Sequence, residues 1–255
     1  MIHTRSPVTR NRLVAPNMIV LSFSSADIAT QVKPGQFLNI RVSDAGIPFL
    51  RRPFSVYRVA GKEIEIIFNV VGQGTLLLSQ KREGDLVDII GPLGRPYDVH
   101  GYFDTAALVA GGLGVAPLPL LTAYLKKTKC RVVTFLGART SDQIVSTHLK
   151  HVKVATDDGS SGYHGTVVAL VRQAFEQRPH RKVKLFGCGP HPMLASLSDL
   201  AGELDIPCEV SLESMMACGM GICQGCPVEL KNQENKYALI CKEGTVFDTR
   251  RLVLK

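Results

Sequence analysis

The sequence contains no tryptophan, and aromatic residues make up only 6% of its 255 residues. Basic residues outnumber acidic ones, which gives a formal net charge of +8, and they cluster at residues 126–129 and 178–182. A surface that binds nucleic acid usually combines basic clusters with stacking aromatics or a recognisable reading module. Because neither cluster contains an aromatic residue, we interpret both as solvated segments and expect no nucleic-acid partner.

The sequence also lacks an unbroken hydrophobic run that could cross a membrane. The stretch most similar to one, Thr105 to Leu125, has no charged residue but contains three glycines and two prolines. These residues would break a spanning helix near its middle, so a strand, a glycine turn and a helix explain the stretch better. No apolar segment follows the first seven residues, so we expect no signal peptide and a cytoplasmic protein.

The first hundred residues have the pattern of short β-strands. Polar and apolar side chains alternate over residues 36–42 and 62–66, and turn sequences such as Lys33-Pro34-Gly35 separate the segments. Alternation with a period of two is typical of half-buried strands. Many short strands with regular breaks favour a small antiparallel β-barrel over residues 1–100.

After residue 100 the pattern changes to strands that alternate with helices. Buried strands are predicted at 106–110, 131–136 and 183–186, with helices at 116–125, 141–148, 166–176 and 192–204. Such alternation is typical of a parallel sheet, which we assign to residues 101–205. Little helix is expected from residue 206 onward. The predicted fold is therefore multidomain, with a barrel, an α/β domain and a small C-terminal domain at 206–255.

Four cysteines near the C-terminus carry the strongest chemical signal. Cys218, Cys223 and Cys226 follow the Cys-x4-Cys-x2-Cys spacing of plant-type [2Fe–2S] proteins, and Cys241 can supply the fourth thiolate from a separate strand. The glycines between them allow positive φ angles and leave room for a cluster beside the backbone. The spacing predicts a [2Fe–2S] cluster, and hence a redox protein.

Two other uses of these cysteines compete with the cluster. Zinc accepts four thiolates, but structural zinc sites usually pair two Cys-x2–4-Cys motifs, whereas Cys241 stands alone. Disulfides require an oxidising compartment, and the chain has seven cysteines, an odd number. The cluster remains the favoured interpretation.

Residues 51–57, Arg-Arg-Pro-Phe-Ser-Val-Tyr, lie between two predicted barrel strands and suggest a flavin site. Arg52 can neutralise a pyrophosphate, Phe54 or Tyr57 can pack on the flavin ring, and the Ser55 hydroxyl can bond near its reactive nitrogen. Residues 71–75, Val-Gly-Gln-Gly-Thr, precede a predicted short helix whose first turn suits a phosphate. Ordinary strand contents and a simple turn are the alternatives for each segment taken alone.

Two further strand-to-helix turns suggest a dinucleotide site. Gly111, Gly112 and Gly114 follow one buried strand, and Cys188, Gly189 and Pro190 follow another. Glycine turns of this kind bring backbone amides close to phosphates, although the spacing is not Gly-x-Gly-x-x-Gly. Tight connections without a ligand are the alternative. The nicotinamide choice stays open, because Arg139 suits a 2′-phosphate whereas Asp157 and Asp158 repel one.

In sequence order, Arg-Pro-Phe-Ser, Gly-x-Gly-Thr, Gly-Pro-Leu-Gly, Gly-Gly-x-Gly-x-Ala-Pro and Cys-Gly-Pro resemble the ferredoxin–NADP reductase superfamily over residues 1 to about 200. The stretch Glu213-Ser214-Met215-Met216-Ala217-Cys218-Gly219 narrows the resemblance to the electron-transfer subunits of NAD-dependent (class 1B) dihydroorotate dehydrogenase. Residues 155–160, Ala-Thr-Asp-Asp-Gly-Ser, also resemble those subunits.

The resemblance implies three cofactors: FAD in the barrel, a [2Fe–2S] cluster and NAD as co-substrate. It implies that the flavin contacts Arg52, Pro53, Phe54 and Ser55, that Gly74 and Thr75 meet its phosphates, and that Ile67, Phe68 and Asn69 line the FAD cleft. Phe54 stands where the superfamily commonly has a stacking tyrosine, and Arg58 where it has a hydroxyl. The stacking residue is therefore open. The short gap between Cys226 and Cys241 predicts a reduced cluster domain.

The resemblance further implies a function and a partner. Electrons from dihydroorotate would pass from an FMN-containing catalytic subunit through this chain to NAD, in pyrimidine biosynthesis, with a dimer of heterodimers as the assembly. No dihydroorotate site is expected in this chain. The alternatives are a related reductase subunit of a sulfhydrogenase or of an NADH-dependent ferredoxin–NADP oxidoreductase, and a non-catalytic zinc-binding interaction protein.

Overall fold

The computed structural model describes residues 1–101, 103–176, 182–231 and 236–254. Within these ranges, six antiparallel strands close a barrel in the order β1-β2-β5-β4-β3-β6. The strands are β1 (Ile2–Ala15), β2 (Met18–Ser24), β3 (Phe37–Arg41), β4 (Arg52–Ala60), β5 (Glu63–Asn69) and β6 (Leu86–Leu93). Helices α1 (Ala26–Gln31) and α2 (Gln73–Ser79) connect them. The predicted antiparallel barrel is confirmed.

Alternating side chains explain why these segments form a barrel. In β6, buried and part-exposed residues alternate along the strand, as a period of two requires. The inward side chains, among them Leu21, Phe23, Leu38 and Ile66, form one buried cluster. The segment 51–57 was predicted to lie between strands, and this is wrong. From Arg52 onward it is strand β4 itself, paired with β3 and β5.

The α/β region forms a seven-stranded sheet within the described residues, in the order β10-β9-β8-β7-β11-β12-β15. Its strands are β7 (Thr105–Gly111), β8 (Arg131–Ala138), β9 (Val152–Thr156), β10 (Tyr163–His164), β11 (Val183–Cys188), β12 (Cys208–Ser211) and β15 (Val246–Asp248). All neighbours are parallel except β12 and β15. Helices α3 (Leu118–Leu125), α4 (Val167–Phe175) and α5 (His191–Glu203) pack on it.

The helix expected at residues 141–148 does not form. Only a 3-10 turn, Ser141–Gln143, is present there. His148 has φ +66°, which a right-handed helix cannot include. The Tyr57 hydroxyl, 2.6 Å from the Thr147 hydroxyl, ties this segment to the barrel.

The C-terminal region joins the sheet instead of standing apart from it. β13 (Pro227–Glu229) and β14 (Tyr237–Leu239) form a two-stranded ribbon, followed by the single turn α6 (Ile240–Glu243). β12 adds a parallel strand to the sheet next to β11, and β15 pairs with β12 in the antiparallel direction. The divisions at 1–100, 101–205 and 206–255 stay predictions. The boundary at 206 would place β12 and β15 with the C-terminal domain.

The buried clusters run across the three regions. One face of the sheet, covered by α4 and α5, shares a cluster with Phe37 and Leu93 of the barrel and with Cys226 and Cys241. No helix within the described ranges is long and apolar enough to cross a membrane. Residues 126–129 are exposed, and residues 178–181 of the second basic cluster lie outside the described ranges.

Candidate functional site

A cavity of about 310 Å³ lies against strands β4 and β5 at the side of the barrel that faces the C-terminal region. It is lined by most of the residues predicted at the flavin, namely Pro53, Phe54, Ser55, Ile67, Phe68, Asn69 and Thr75. Residues 212–214, Met216 and Thr245 form its far wall. The fold therefore brings distant segments of the chain around one mostly apolar cavity with a few polar groups, a composition that suits a flavin.

Phe54 is the aromatic residue of the 51–57 segment that lines this cavity. Its ring lies 5.5 Å from that of Phe68, measured between centroids, and only 8% of the residue is exposed. Tyr57, the other aromatic considered for stacking, is buried and its hydroxyl meets Thr147. The geometry therefore favours Phe54 over Tyr57 as the aromatic wall.

Arg52 lies next to the glycine turn that begins α2. Its Nη1 donates to the carbonyl oxygens of Leu50 and Arg51, at 2.7 and 3.3 Å. A Cβ atom added to Gly74 would lie 3.6 Å from the Arg52 Nε atom, which places the guanidinium group in contact range of the turn. A guanidinium beside a helix N-terminus is a suitable site for a phosphate.

The Thr75 hydroxyl organises the same turn. It accepts the backbone N–H groups of Val71 and Gly72, at 3.0 and 3.2 Å, and lies 3.0 Å from the Gly72 carbonyl oxygen. These bonds hold the turn in one conformation and leave the side chain at the edge of the flavin cavity. Thr75 therefore shapes the backbone of the predicted phosphate site.

A second cavity, of about 580 Å³, lies at the carboxyl ends of the parallel strands. Gly111, Gly112 and Pro190, all predicted at the dinucleotide, line it. Ligands of open α/β sheets bind at this end of the strands, so the position suits a nucleotide. Asn69, Val71 and Leu113 line both cavities. The two spaces therefore share a wall, as transfer between two bound cofactors requires.

The remaining predicted glycines act by close packing. A Cβ atom on Gly114 would lie 2.1 Å from the Cys188 carbonyl oxygen, and one on Gly189 would lie 3.0 Å from the Gly111 nitrogen. The two glycine turns thus pack backbone against backbone. The Cys188 side chain is buried, and burial raises the pKa of its thiol well above the ordinary value, so it stays protonated.

The nucleotide cavity contains opposite charges that bear on nicotinamide choice. Arg139, at the end of β8, and Asp157, after β9, both line it. Asp158 accepts hydrogen bonds from the Ser160 backbone and hydroxyl, at 2.9 and 2.6 Å. These bonds lower the pKa of the Asp158 carboxyl, which is therefore charged at neutral pH. Of the two carboxylates, Asp157 lines the cavity, where it favours a ribose hydroxyl, whereas Arg139 in the same cavity favours a 2′-phosphate.

The residues between β12 and β13, 212–226, form the cysteine loop. The Cys218 sulfur accepts the backbone N–H groups of Met220 and Cys223, at 3.5 and 3.4 Å. The Cys226 sulfur accepts the N–H of Cys241 at 3.4 Å. Cys241 is the second residue of α6 and not part of a strand, which corrects the expectation from the sequence.

Backbone conformation and charge shape this loop. Gly219 and Gly221 have φ +69° and +86°, as a loop that turns its backbone amides toward sulfur requires. Burial tends to raise the pKa of Cys218, but the N–H donors outweigh it and lower the pKa to about 6. Burial and the neighbouring Cys226 thiol raise the pKa of Cys241 to about 12.

The donor set suits an iron–sulfur cluster. The Cys223 N–H donates to the Cys218 sulfur, and the Cys241 N–H donates to the Cys226 sulfur. Across the described residues no three His, Cys, Asp or Glu side chains are gathered into a metal-binding group. Four thiols with backbone N–H donors directed at sulfur are the chemistry that iron–sulfur clusters use. The ligand assignment stays a prediction.

Two site residues escaped the sequence analysis. Asn39, buried in β3, donates from Nδ2 to the Cys218 carbonyl oxygen at 3.0 Å and so joins the barrel to the cysteine loop. Glu213 lines the flavin cavity, and the protein around its carboxyl raises its pKa above the ordinary value. Glu213 begins the segment used for the resemblance, whereas no local pattern marks Asn39.

Comparison with known proteins identifies the family. Residues 213–253 match the iron–sulfur cluster binding domain of dihydroorotate dehydrogenase B. The chain is 39% identical to the dihydroorotate dehydrogenase B (NAD(+)) electron transfer subunit of Desulforamulus reducens, over 94% of each protein. The chain belongs to this family. A second electron transfer subunit, from Geobacillus thermodenitrificans, is 36% identical over 98% of each protein.

Solved structures agree with membership among these electron transfer subunits. The structure of an NADH-dependent reduced ferredoxin–NADP oxidoreductase matches with TM-score 0.87 and 28% identity, over 98% of this chain and 90% of that one. A ferredoxin NADP+ reductase from Neisseria gonorrhoeae, with bound FAD and NADP, matches with TM-score 0.64 and 14% identity, over 79% and 91%, which shows the shared fold. The resemblance stated from the sequence is confirmed.

Proposed function

We propose that this chain carries electrons from dihydroorotate, oxidised in a partner catalytic subunit, to NAD in pyrimidine biosynthesis. It would do so with a [2Fe–2S] cluster and FAD as its own cofactors. The observation that carries the proposal is the wall shared by the two cavities at Asn69, Val71 and Leu113, with the cysteine loop along the flavin cavity. The similarity to named electron transfer subunits over nearly the whole chain supports it.

The need for a flavin follows from electron count. When bound, FAD can exchange hydride with a nicotinamide and single electrons with a cluster. A nicotinamide transfers two electrons at once and a cluster carries one, so these two cannot exchange electrons directly. In this chain Arg52 and the turn at Gly74 and Thr75 would hold the flavin's phosphates. Phe54 would pack against the flavin, and the Ser55 hydroxyl would hydrogen-bond near its reactive nitrogen.

The nucleotide and cluster sites follow the same logic. Gly111, Gly112 and Pro190 would contact the nicotinamide nucleotide, and Gly114, Cys188 and Gly189 would hold the two turns together behind it. Asp157 selects NAD by repelling a 2′-phosphate. Cys218, Cys223, Cys226 and Cys241 hold the cluster, and the backbone N–H groups of Met220 and Cys223 stabilise negative charge on the Cys218 sulfur.

The names of the relatives describe one subunit of a larger enzyme, so a catalytic subunit completes it. We propose that this partner contains FMN and that the assembly is a dimer of heterodimers. The assembly works in the cytoplasm, where thiols stay reduced. All seven cysteines lie within the described residues, and each is a free thiol.

Reconstitution from separate subunits tests the proposal. The isolated chain should oxidise NADH with artificial acceptors and leave dihydroorotate untouched. Adding the cognate catalytic subunit should produce NADH from dihydroorotate and NAD, measured by absorbance. Turnover of dihydroorotate by the isolated chain would contradict the proposal, as would equal NAD reduction by a complex that lacks the cluster.

One observation favours a second candidate. The match to an NADH-dependent reduced ferredoxin–NADP oxidoreductase covers 98% of the chain. The chain could therefore be a reductase subunit for a different partner, including that of a sulfhydrogenase. Identity of 39% to the dihydroorotate dehydrogenase subunit, against 28%, favours the first candidate. The protein that copurifies with the chain distinguishes them.

A further inference from the structure

The connection between β3 and β4, residues 42–51, presents an apolar surface to solvent. Within it, Ile47 is 72% exposed, Phe49 84% and Leu50 43%. Single exposed apolar residues are common, but three within four positions make a patch that usually marks an interaction. We call residues 42–51 the β3–β4 loop.

Polar contacts hold the two ends of the β3–β4 loop. Arg41 donates to the Ser43 carbonyl oxygen at 3.1 Å, and the Ala45 N–H donates to the Ser43 hydroxyl at 3.2 Å. Arg52 donates to the Leu50 carbonyl oxygen at 2.7 Å. Fixed ends reduce the conformational entropy that the loop loses on association, which favours docking through its apolar side chains.

The β3–β4 loop adjoins the cysteine loop through two successive hydrogen bonds. Arg51 Nη1, at the end of the β3–β4 loop, donates to the Asn39 carbonyl oxygen at 3.4 Å. Asn39 Nδ2 donates in turn to the Cys218 carbonyl oxygen at 3.0 Å. Arg51 is fixed independently by Asp88, with Nη2 to Oδ1 at 2.7 Å. Both loops are therefore attached to the same part of the barrel.

The cysteine loop alone is too small for a stable subunit interface. It exposes Met215 (93%) and Ile222 (75%), but Cys226 is buried and Met216 packs inward against the core. Stable interfaces bury about 800 Å² per partner over about 20–30 residues a side. A partner that reaches the cluster must therefore cover neighbouring surface as well, and the β3–β4 loop is adjacent and apolar.

We propose that the β3–β4 loop, through Ile47, Phe49 and Leu50, forms the second half of the surface that binds the catalytic subunit. This inference rests on the proposed function, because it takes its partner from there. Phe49 is the anchor, because it is the largest and most exposed apolar side chain of the loop, at 84%. Met215 and Ile222 form the first half, beside the cluster.

Affinity measurements on single variants test this assignment. Phe49→Ser should raise the Kd for the cognate catalytic subunit by about tenfold or more, measured by surface plasmon resonance or calorimetry. Leu13→Ser is the matched control, because Leu13 is also apolar and 67% exposed but lies on β1 away from the β3–β4 loop. The part of β1 that contacts this loop is Arg5, which pairs with Asp44 and is eight residues from Leu13. Leu13→Ser should leave the Kd unchanged.

Further measurements separate loss of binding from misfolding, from failure of the proposed function and from self-association. Both variants should keep the wild-type iron content and NADH oxidation with artificial acceptors, which shows that the fold is intact. Wild-type affinity in Phe49→Ser would overturn the inference while leaving the proposed function standing. If the wild-type chain itself failed to bind the catalytic subunit, the proposed function would fail with it. A change from dimer to monomer of the isolated chain in Phe49→Ser, without a change in Kd, would instead assign the patch to self-association and overturn the inference.

Discussion

At the scale of single residues, Arg52 is the charged residue predicted to bind the flavin phosphates. Its contacts to the Leu50 and Arg51 carbonyl oxygens hold it beside Gly74. Arg52→Ala should weaken FAD binding by about 1.5–3 kcal/mol, the cost of a lost charged hydrogen bond. Fluorescence titration of the flavin-free chain with FAD measures this change. Arg10→Ala, at an exposed position of β1, should bind FAD like the wild type. Unchanged affinity in Arg52→Ala would remove the assigned role.

Glu213 makes stability depend on pH. The surrounding protein raises the pKa of its carboxyl above the ordinary value. A carboxyl with a higher pKa in the folded chain stabilises the fold below its unfolded pKa, and this contribution is lost as pH rises through the raised value. Glu213→Gln removes the ionisable carboxyl, and with it this loss of folding stability at high pH. The variant should therefore gain thermal stability relative to the wild type as pH rises from about 5 to about 8.

Thermal unfolding at both pH values, followed by circular dichroism, measures this difference. The relative gain should be small, on the order of 1–2 °C, because the carboxyl is partly exposed to the cavity. Glu83→Gln, in an exposed turn between α2 and β6, is the control and should show the same Tm difference at both pH values. A pH-independent shift in Glu213→Gln would mean that its charge is not what matters.

At the scale of elements, the cysteine loop depends on the left-handed conformation of Gly219. Its φ is +69°, and an added Cβ atom would lie 2.5 Å from the Asn39 amide nitrogen. Gly219→Ala should therefore strain the loop, at a cost of about 1–2 kcal/mol for the conformation alone, and displace Cys218. Iron and acid-labile sulfide per chain should fall below wild type.

Gly61→Ala is the control that separates backbone strain at a positive φ from the contact of an added Cβ atom with Asn39. Gly61 has φ +61° in the turn between β4 and β5, and an added Cβ atom would meet nothing within 4 Å. It should keep its full iron content despite similar backbone strain. Equal iron loss in both variants would show that general destabilisation is responsible, and not the Asn39 contact.

The cysteine ligands can be tested without disturbing the core, because Cys223 is exposed. Cys223→Ser should lose the cluster, measured as about two irons and two sulfides per chain in the wild type, and should retain FAD. Cys130→Ser is the matched control and should keep both. Cys188 and Cys208 should also be dispensable for iron. Stoichiometric zinc without labile sulfide in the wild type would contradict the cluster.

At the scale of the whole molecule, the three regions share buried clusters and should unfold together. Phe37 and Leu93 of the barrel belong to the same cluster as Cys226 and Cys241 of the C-terminal region. Packing through this shared cluster therefore couples the barrel to the C-terminal region.

Native mass spectrometry of the reconstituted complex should give two copies of each subunit. A one-to-one complex with full activity would contradict the dimer of heterodimers.

The sequence predicted elements whose signal is local and missed those whose signal is not. Alternation identified the strands near residues 36–42 and 62–66. It predicted half-buried strands, whereas both faces of β3 and β5 are buried over most of their length, including the polar residues Asn39 and Glu65. The 141–148 segment was misread as a helix, because contacts with Tyr57 of the barrel and the positive φ of His148 decide its path. Local propensity carries no information about such a contact.

The candidate site divides in the same way. The cysteine spacing and the order of the glycine motifs were enough to predict the family and the cofactor types, because these chemistries need particular residue types at short, fixed separations. The resemblance to the family then predicted the residues at the flavin, namely Phe54, Ser55 and the β5 residues. The sequence did not indicate which of two aromatics faces the flavin cavity, since that depends on which side of β4 each one occupies.

The sequence alone thus determined the succession of barrel and parallel sheet and the family, and it predicted which cysteines hold the cluster. Only the tertiary structure decided that the two cavities share a wall, that Glu213 lines one of them, and that Asn39 meets Cys218 across 179 positions. It also decided that the β3–β4 loop adjoins the cysteine loop. Contacts between residues far apart in sequence arise from packing of the whole chain, and such packing leaves no periodic trace in the sequence.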